Sequence, residues 1–430
     1  MRRKPICDIP RQFSQEDHSE IVREEYQFEL ITPMFGGDAE SWKLDLKNPV
    51  RGQSVKGQLR FWWRTMQDET KPQQLLINEN KIWGGTTVDS DGEEIRIKSP
   101  VSIAITDIKI PEGAIVEATM KNNFAVDDSV IPGYVLFPIT SHVKQAEKNG
   151  STSDIHFIKK MSFILHVSYP DYLETDIINT LKLWTLFGGI GARTRRGTGS
   201  IYCEDLLLDF NNEAKVLEFI RNFKDEEVTL KYPRIAGATL AVSGGQGNPN
   251  DCWHDLLKQY GKFRQQRTPP EATNRPGRSY WPEPDAIKII TKQYKADHAP
   301  NHPDGIWFPR AAFGLPIQTE FNNRDGQGDP VGKFMLEPII DGDKEGRWPS
   351  PVILKVIKLS NGSILKVCLS LKQKFPDNIV LKNGSDIIYC LSYKELPERY
   401  SGKKINRNIP VENKTVVDYL CDYLNLKEVI

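Results

Sequence analysis

Between Phe187 and Ser200 the chain reads Phe-Gly-Gly-Ile-Gly-Ala-Arg-Thr-Arg-Arg-Gly-Thr-Gly-Ser, five glycines and three arginines directly behind a segment with helical spacing. Glycine costs about 1 kcal/mol per residue inside a helix, so the helix must stop here and a loop must begin. A loop this rich in glycine brings its backbone close to another group, and its N–H groups can form concavities that hold anions. Arg193, Arg195 and Arg196 add forked donors suited to phosphate. The stretch is not a Walker loop, because no Gly-Lys-Ser/Thr follows a strand. Nor is it a dinucleotide fingerprint, because Thr194 stands where the last glycine is needed. The competing reading is an ordinary glycine-rich turn between helix and strand.

The segments around this loop set the fold class. Tyr26–Pro33 alternates as a strand and Pro49–Met66 reads as a helix entered through Arg51–Ser54. Val101–Ile110, Tyr134–Ile139 and Met161–Val167 read as strands, Tyr172–Phe187 as an amphipathic helix, and Ser200–Leu207 as a strand. Strand, helix, strands, helix, strand is the split βαβ order of an α+β, ferredoxin-like (RRM-like) antiparallel sheet with both helices on one face. The second half opens in the same way, with a strand at Arg234–Val242 and a helix around Trp253–Phe263. A proline-rich stretch from 269 to 284 follows. Further strands are expected at Ile287–Thr291, Pro351–Ile357 and Ser363–Leu371, and a closing helix at Lys414–Leu426. The expected organisation is a flexible arm (1–24), a ferredoxin-like domain with inserted loops carrying the glycine-rich loop (25–207), a connection (208–230) with one helix at Val216–Phe223, and a second ferredoxin-like domain (231–430). A long insertion, 84–160, interrupts the first domain.

Charge narrows the function. The 430 residues hold 57 Lys+Arg and 57 Asp+Glu, so the chain does not coat nucleic acid along its whole length. The charge is segregated. Leu46–Gln67 contains no carboxylate but has Lys47, Arg51, Lys56, Arg60 and Arg64; Ile177–Cys203 and Val228–Asn250 are likewise free of acid. On the helix, Val55, Leu59, Trp62 and Met66 form the core stripe, while Lys56, Arg60 and Arg64 stack at i, i+4 and i+8 with Trp63 at the edge. Like charges at that spacing repel unless an anion lies between them. A phosphate backbone is the expected anion, with Trp63 stacking a base; the bland alternative is a solvated basic face over buried tryptophans. Leu183–Ala192, the longest weakly polar stretch, is far short of the ~20 residues of a membrane span. The basic N-terminus lacks the apolar core of a secretory signal. Six cysteines without a CxxC pair suit buried thiols in a reducing cytoplasm.

Four blocks taken together, "ITPMFGG…VRGQSVKGQLRFWWR", "GGIGARTRRGTGS", "FPRAAFGLPI" and "RWPSPVILKV", resemble the RAMP superfamily of CRISPR effector proteins, and within it the first Cmr subunit of type III-B complexes. The resemblance implies two ferredoxin-like domains and a place in an antiviral ribonucleoprotein beside other Cmr and RAMP subunits. It also implies contact with the 3′ region of the guide crRNA and with the paired target RNA, target cutting being left to another subunit. Carried over by position, the RNA contacts are Arg51, Lys56, Arg60 and the Gly188–Gly199 loop; with Trp63 and Arg64 from the basic helix face, the expected RNA-binding residues include Gly189, Gly191, Arg193, Arg195, Arg196, Gly197 and Gly199 in the loop. Arg310 and Arg347 either extend that path or cap a domain interface.

Residues for catalysis are sparse, and no enzyme, metal or cofactor is expected. The seven histidines avoid both motifs, and His166 reads as a core histidine. His298 and His302 are separated by a proline that breaks any helix aligning them. Asp38, Glu40 and Asp45 follow the first strand, where Asp38 or Asp45 could hold Mg²⁺ in a metal-dependent ribonuclease.

Overall fold

The alternation at Tyr26–Pro33 becomes β1 (Ile21–Leu30), which buries Tyr26, Phe28 and Leu30 on one face. Residues 21–24, expected in the arm, extend this strand, pairing with β3 defined below. The computed structural model describes residues 20–38, 40, 42–88, 93–121, 130–224, 232–269, 277–302, 305–321, 329–340, 344–392, 395 and 414–428. Residues 1–19 of the arm and residues 270–276 of the proline-rich stretch lie outside those residues.

After β1 come α1 (Gly52–Thr65), α2 (Pro72–Trp83), β2 (Ser102–Lys109), α3 (Gly133–Lys148), β3 (Ser162–Pro170), α4 (Glu174–Phe187) and β4 (Ile201–Tyr202). The sheet order is β2-β3-β1-β4, with β1 antiparallel to β3 in the register Tyr26↔Leu165 and Phe28↔Phe163. The second half gives β5 (Arg234–Gly245), α5 (Pro249–Arg264), α6 (Glu283–Thr291), β6 (Val352–Lys358), β7 (Ile364–Lys372), α7 (Val416–Tyr423) and β8 (Lys427–Glu428). Its sheet order, β6-β7-β5-β8, is the same permutation. Both sheets therefore have the ferredoxin-like α+β arrangement.

The two units stack in layers. Apolar side chains of α1 and α4 share one core with β1 and β3 on one side and with Leu240, Val242, Ile353, Ile357, Val367 and Leu369 on the other. The opposite face of the second sheet packs Val352, Leu354, Val356 and Cys368 under Trp253, Leu256 and Tyr260 of α5 and Leu420 of α7. The second sheet is thus covered on both faces, which is why β6 reads as an apolar run, VILKVIK, rather than as an alternation.

Four sequence expectations are corrected here. Tyr134–Ile139 is helix, the start of α3, because the apolar run continues into a polar stretch long enough for four turns. Ile287–Thr291 ends helix α6, started by Pro284 with Glu283 and Asp285 in the first turn. The strand at Ser200–Leu207 stops at Tyr202; Glu204 and Asp205 open a short helix, Glu204–Leu207. His166 lies on the solvent face of β3, bonded through Nε2 to Thr106 Oγ1 at 2.7 Å and 3.1 Å from Glu25, and not in the core. In the insertion, α3 packs against α5, with Tyr134 and Tyr260 edge to face at 5.5 Å.

Lys355 is the one charged residue of β6 turned toward α1 and α4. It is fully buried, and its Nζ donates to the carbonyls of Gly188 (2.8 Å) and Thr185 (3.4 Å) at the end of α4. Those carbonyls lack partners within the helix, so the ammonium caps its C-terminus. Burial lowers the Lys355 pKa to about 7. With the folded value below the unfolded one, the unfolded chain holds more protons between roughly pH 7 and pH 10, and Lys355 makes stability rise with pH across that window. Subtracting the denaturation curves of Lys355→Met from wild type at pH 7, 8.5 and 10 should isolate that rise; parallel curves refute it.

Candidate nucleic-acid interface

The site begins at the amino end of α1. Arg51 precedes the helix in an extended conformation; no side chain caps the first turn and no acid lies within it. The orphan N–H groups of that turn and the positive end of the helix dipole favour an anion. They open onto a groove of about 780 Å³ between α1 and β2, the edge strand of the first sheet. Arg51, Gln53, Ser54 and Lys56 line it, and no carboxylate does. Burial, and then the charge of Arg60, lowers the Lys56 pKa. Lys56 has no carboxylate partner among the described residues, whereas Arg51 lies 3.5 Å from Asp38 and also donates to the Gly37 carbonyl.

The rest of the basic stripe has a different role. Arg60 and Arg64 both pair with Glu79 of α2, Arg64 at 3.0 Å, and the Glu79 side chain is only 2% exposed. The anion expected between these like charges is therefore part of the protein. The expectation that Trp63 stacks a base is also corrected: Trp63 is buried, and its Nε1 donates to Asp176 of α4 at 3.3 Å. Sequence periodicity puts Trp63 at the edge of the core stripe; α4, lying against that edge, covers it.

The glycine-rich loop meets α1 from the other side. Arg195 lies over the Phe61 ring at 5.5 Å and donates to the Ser350 carbonyl; burial, and then Arg196, lowers its pKa to about 10. Arg196 lies over Tyr260 at 5.1 Å and donates to the Val352 carbonyl at 2.8 Å. Of the three arginines, Arg193 alone is exposed, at φ +61°. The glycines expected to admit a ligand closely admit protein instead. A Cβ at Gly199 would fall 1.9 Å from the Ile190 carbonyl oxygen, one at Gly189 2.7 Å from the Gly199 carbonyl oxygen, and one at Gly191 2.6 Å from that of Phe35. At Gly197 it would meet the Trp253 indole nitrogen at 2.7 Å. Loop N–H groups are likewise engaged, Ala192 with Phe35 and Gly199 with Pro33. The loop is a clasp between the two units, and its Gly188 and Thr194–Arg195 edges face a cavity beside α1.

The residues considered for metal chemistry also have structural roles. Asp45 accepts from the N–H groups of Lys47 and Asn48, closing a turn, and Asp38 faces Arg51. No group of three His, Cys, Asp or Glu side chains able to hold a metal occurs among the described residues. Arg310 is 3.1 Å from the buried carboxylate of Glu283, an ion pair within the second half of the chain; Arg347 is exposed. No helix among the described residues is long and apolar enough to cross a membrane.

Both α1 and the clasp fall inside one recognisable segment. Residues 27–202 match the model of the RAMP superfamily. No curated protein sequence matches the chain. Among solved structures, Cmr1 from Pyrococcus furiosus in its apo form is similar at 17% identity and a TM-score of 0.47, over 87% of this chain and 94% of that one. A chain of the type III-B Cmr-beta bound to cognate target RNA and AMPPnP, in the presence of ssDNA, is similar at 15% identity and a TM-score of 0.43, over 83% and 97%. A chain of Cmr-beta bound to cognate target RNA is 11% identical, with a TM-score of 0.42, over 87% and 97%. In the RAMP-matching segment, the solvent-facing side of the sheet carries Arg23, Glu25, Gln27, Glu29, His166 and Ser168, and Tyr202, which pairs with Glu29 on that face, is buried under Lys358, so no exposed Phe, Trp or Tyr there offers the stacking platform of an RRM. The groove at α1 is the feature suited to a phosphate backbone.

Gly57 lies exposed in the middle of α1, and a Cβ there meets nothing within 4 Å. Gly57→Ala should stabilise the chain by about 1 kcal/mol, read from chemical denaturation, because only backbone entropy changes. A loss of stability would mean that some group approaches this turn closely.

Proposed function

We propose that this chain is a non-catalytic RNA-binding subunit of a type III-B CRISPR (Cmr) ribonucleoprotein, touching the 3′ region of the guide crRNA and the paired target RNA beside other RAMP subunits. The observation that carries the RNA-binding part is the groove at the start of α1: an uncapped helix N-terminus, Arg51 and Lys56 around an opening that no carboxylate lines. The RAMP match over 27–202 and the four sequence blocks support the assignment to a CRISPR effector. In this reading the protein holds the phosphate backbone by charge and helix dipole, and sequence is read by guide–target pairing rather than by side chains. Mixing the purified chain with labelled single-stranded RNA over a salt series tests it. Binding should weaken steeply with salt. A chain that binds no RNA at 50 mM salt, alone or with its partner subunits, would end the proposal.

A further inference from the structure

Past Lys56, the next residue of α1 opens a second and smaller cavity. Gly57, Gln58, Phe61, Gly188, Thr194 and Arg195 line a space of about 220 Å³ between α1 and the clasp. Successive helix residues differ by about 100° around the axis and 1.5 Å along it, so cavity and phosphate groove adjoin across the shoulder of the helix. The volume falls below the ~300 Å³ at which pockets for drug-sized ligands begin, and suits one planar heterocycle. Its lining fits the same class of ligand. Phe61 and Arg195, stacked on each other at 5.5 Å, border the cavity with an aromatic ring and a guanidinium, the two kinds of group on which unstacked bases rest. The Gln58 amide and the Thr194 hydroxyl offer donors and acceptors for a base edge. The missing side chain at Gly57 leaves the mouth open.

We infer that this cavity receives a single nucleobase turned out of the RNA strand whose phosphates follow Arg51 and Lys56. The inference rests on the RNA-binding reading above and adds to it a point at which the protein holds a base and not only the backbone. The stack contributes to affinity without selecting sequence strongly, since every base has a π face.

The test uses the full chain and two ten-nucleotide probes of equal charge, oligouridylate and a fully abasic ribose-phosphate polymer, with affinities read by fluorescence anisotropy. Wild type should prefer the base-bearing probe by about five- to a hundred-fold. Gly57→Leu, which fills the mouth, should erase most of that preference and leave affinity for the abasic probe within about two-fold, because the phosphate groove is untouched. Leucine is a better helix former than glycine, so this variant should melt no lower than wild type. Gln58→Ala is a second variant that leaves the helix intact and should reduce the preference partially. Equal affinity of wild type for the two probes would overturn the base cavity and leave the groove standing. Full preference retained in Gly57→Leu would also overturn it, by placing base contacts elsewhere. Failure of wild type to bind either probe at low salt would remove the RNA reading itself, and the cavity with it.

Discussion

Arg51→Glu combined with Lys56→Glu should weaken binding of single-stranded RNA by on the order of a hundred-fold at low salt, and should lower the slope of log affinity against log salt by about 1.4, two phosphate contacts at ~0.7 each. These cations stand at an opening lined by no carboxylate and aligned with the positive end of a helix. Arg51 also faces Asp38, so Lys56→Glu alone is the cleaner partial test; it should give about half the change in slope with an unaltered melting temperature. Salt-series anisotropy on the three proteins decides the matter. If the double variant keeps both the affinity and the slope of wild type, the groove is not where RNA binds.

Arg60→Met with Arg64→Met should cost about 3–5 kcal/mol of stability, because it strands the Glu79 carboxylate without a cation in a nearly dry site. Either arginine alone leaves the other in place, so each single variant should cost much less. Adding Glu79→Gln to the pair should restore most of the loss, since an amide tolerates burial better than an unpaired carboxylate. Well below its melting temperature the double variant should bind RNA nearly as wild type does. A triple variant no more stable than the double would show that the arginines act by packing their stems and not by neutralising Glu79.

The contrast between these pairs of cations shows how far sequence reading reaches. On the linear chain Arg51, Lys56, Arg60 and Arg64 look equivalent: a basic run without acid over more than twenty residues. Glu79 arrives from α2, a helix whose weak amphipathic pattern gave no sequence signal, and it separates the run into a structural half and an open half. Trp63 was misplaced for a related reason. Helical periodicity finds one buried stripe, but α1 is packed by the first sheet, by α4 and by the second sheet, so its buried arc is wider than a one-sided helix would have.

The local patterns determined much of the architecture. Period-two alternation placed β1, the strands expected at Met161–Val167, Pro351–Ile357 and Ser363–Leu371 fall on β3, β6 and β7, and the order of elements pointed to the ferredoxin-like fold of the first half. These features are written in neighbouring residues, and short-range sterics and amphipathicity read them directly. Tertiary structure decided what the charged and glycine residues do. Gly197 and Gly199 look like part of a ligand cradle until Trp253, Leu354 and Ile190 occupy the space beside them. Lys355 looks like any strand lysine until the end of α4 surrounds it with carbonyls. A cation or a glycine takes its role from the group that arrives opposite it, and here that group comes from a part of the chain that only folding brings near.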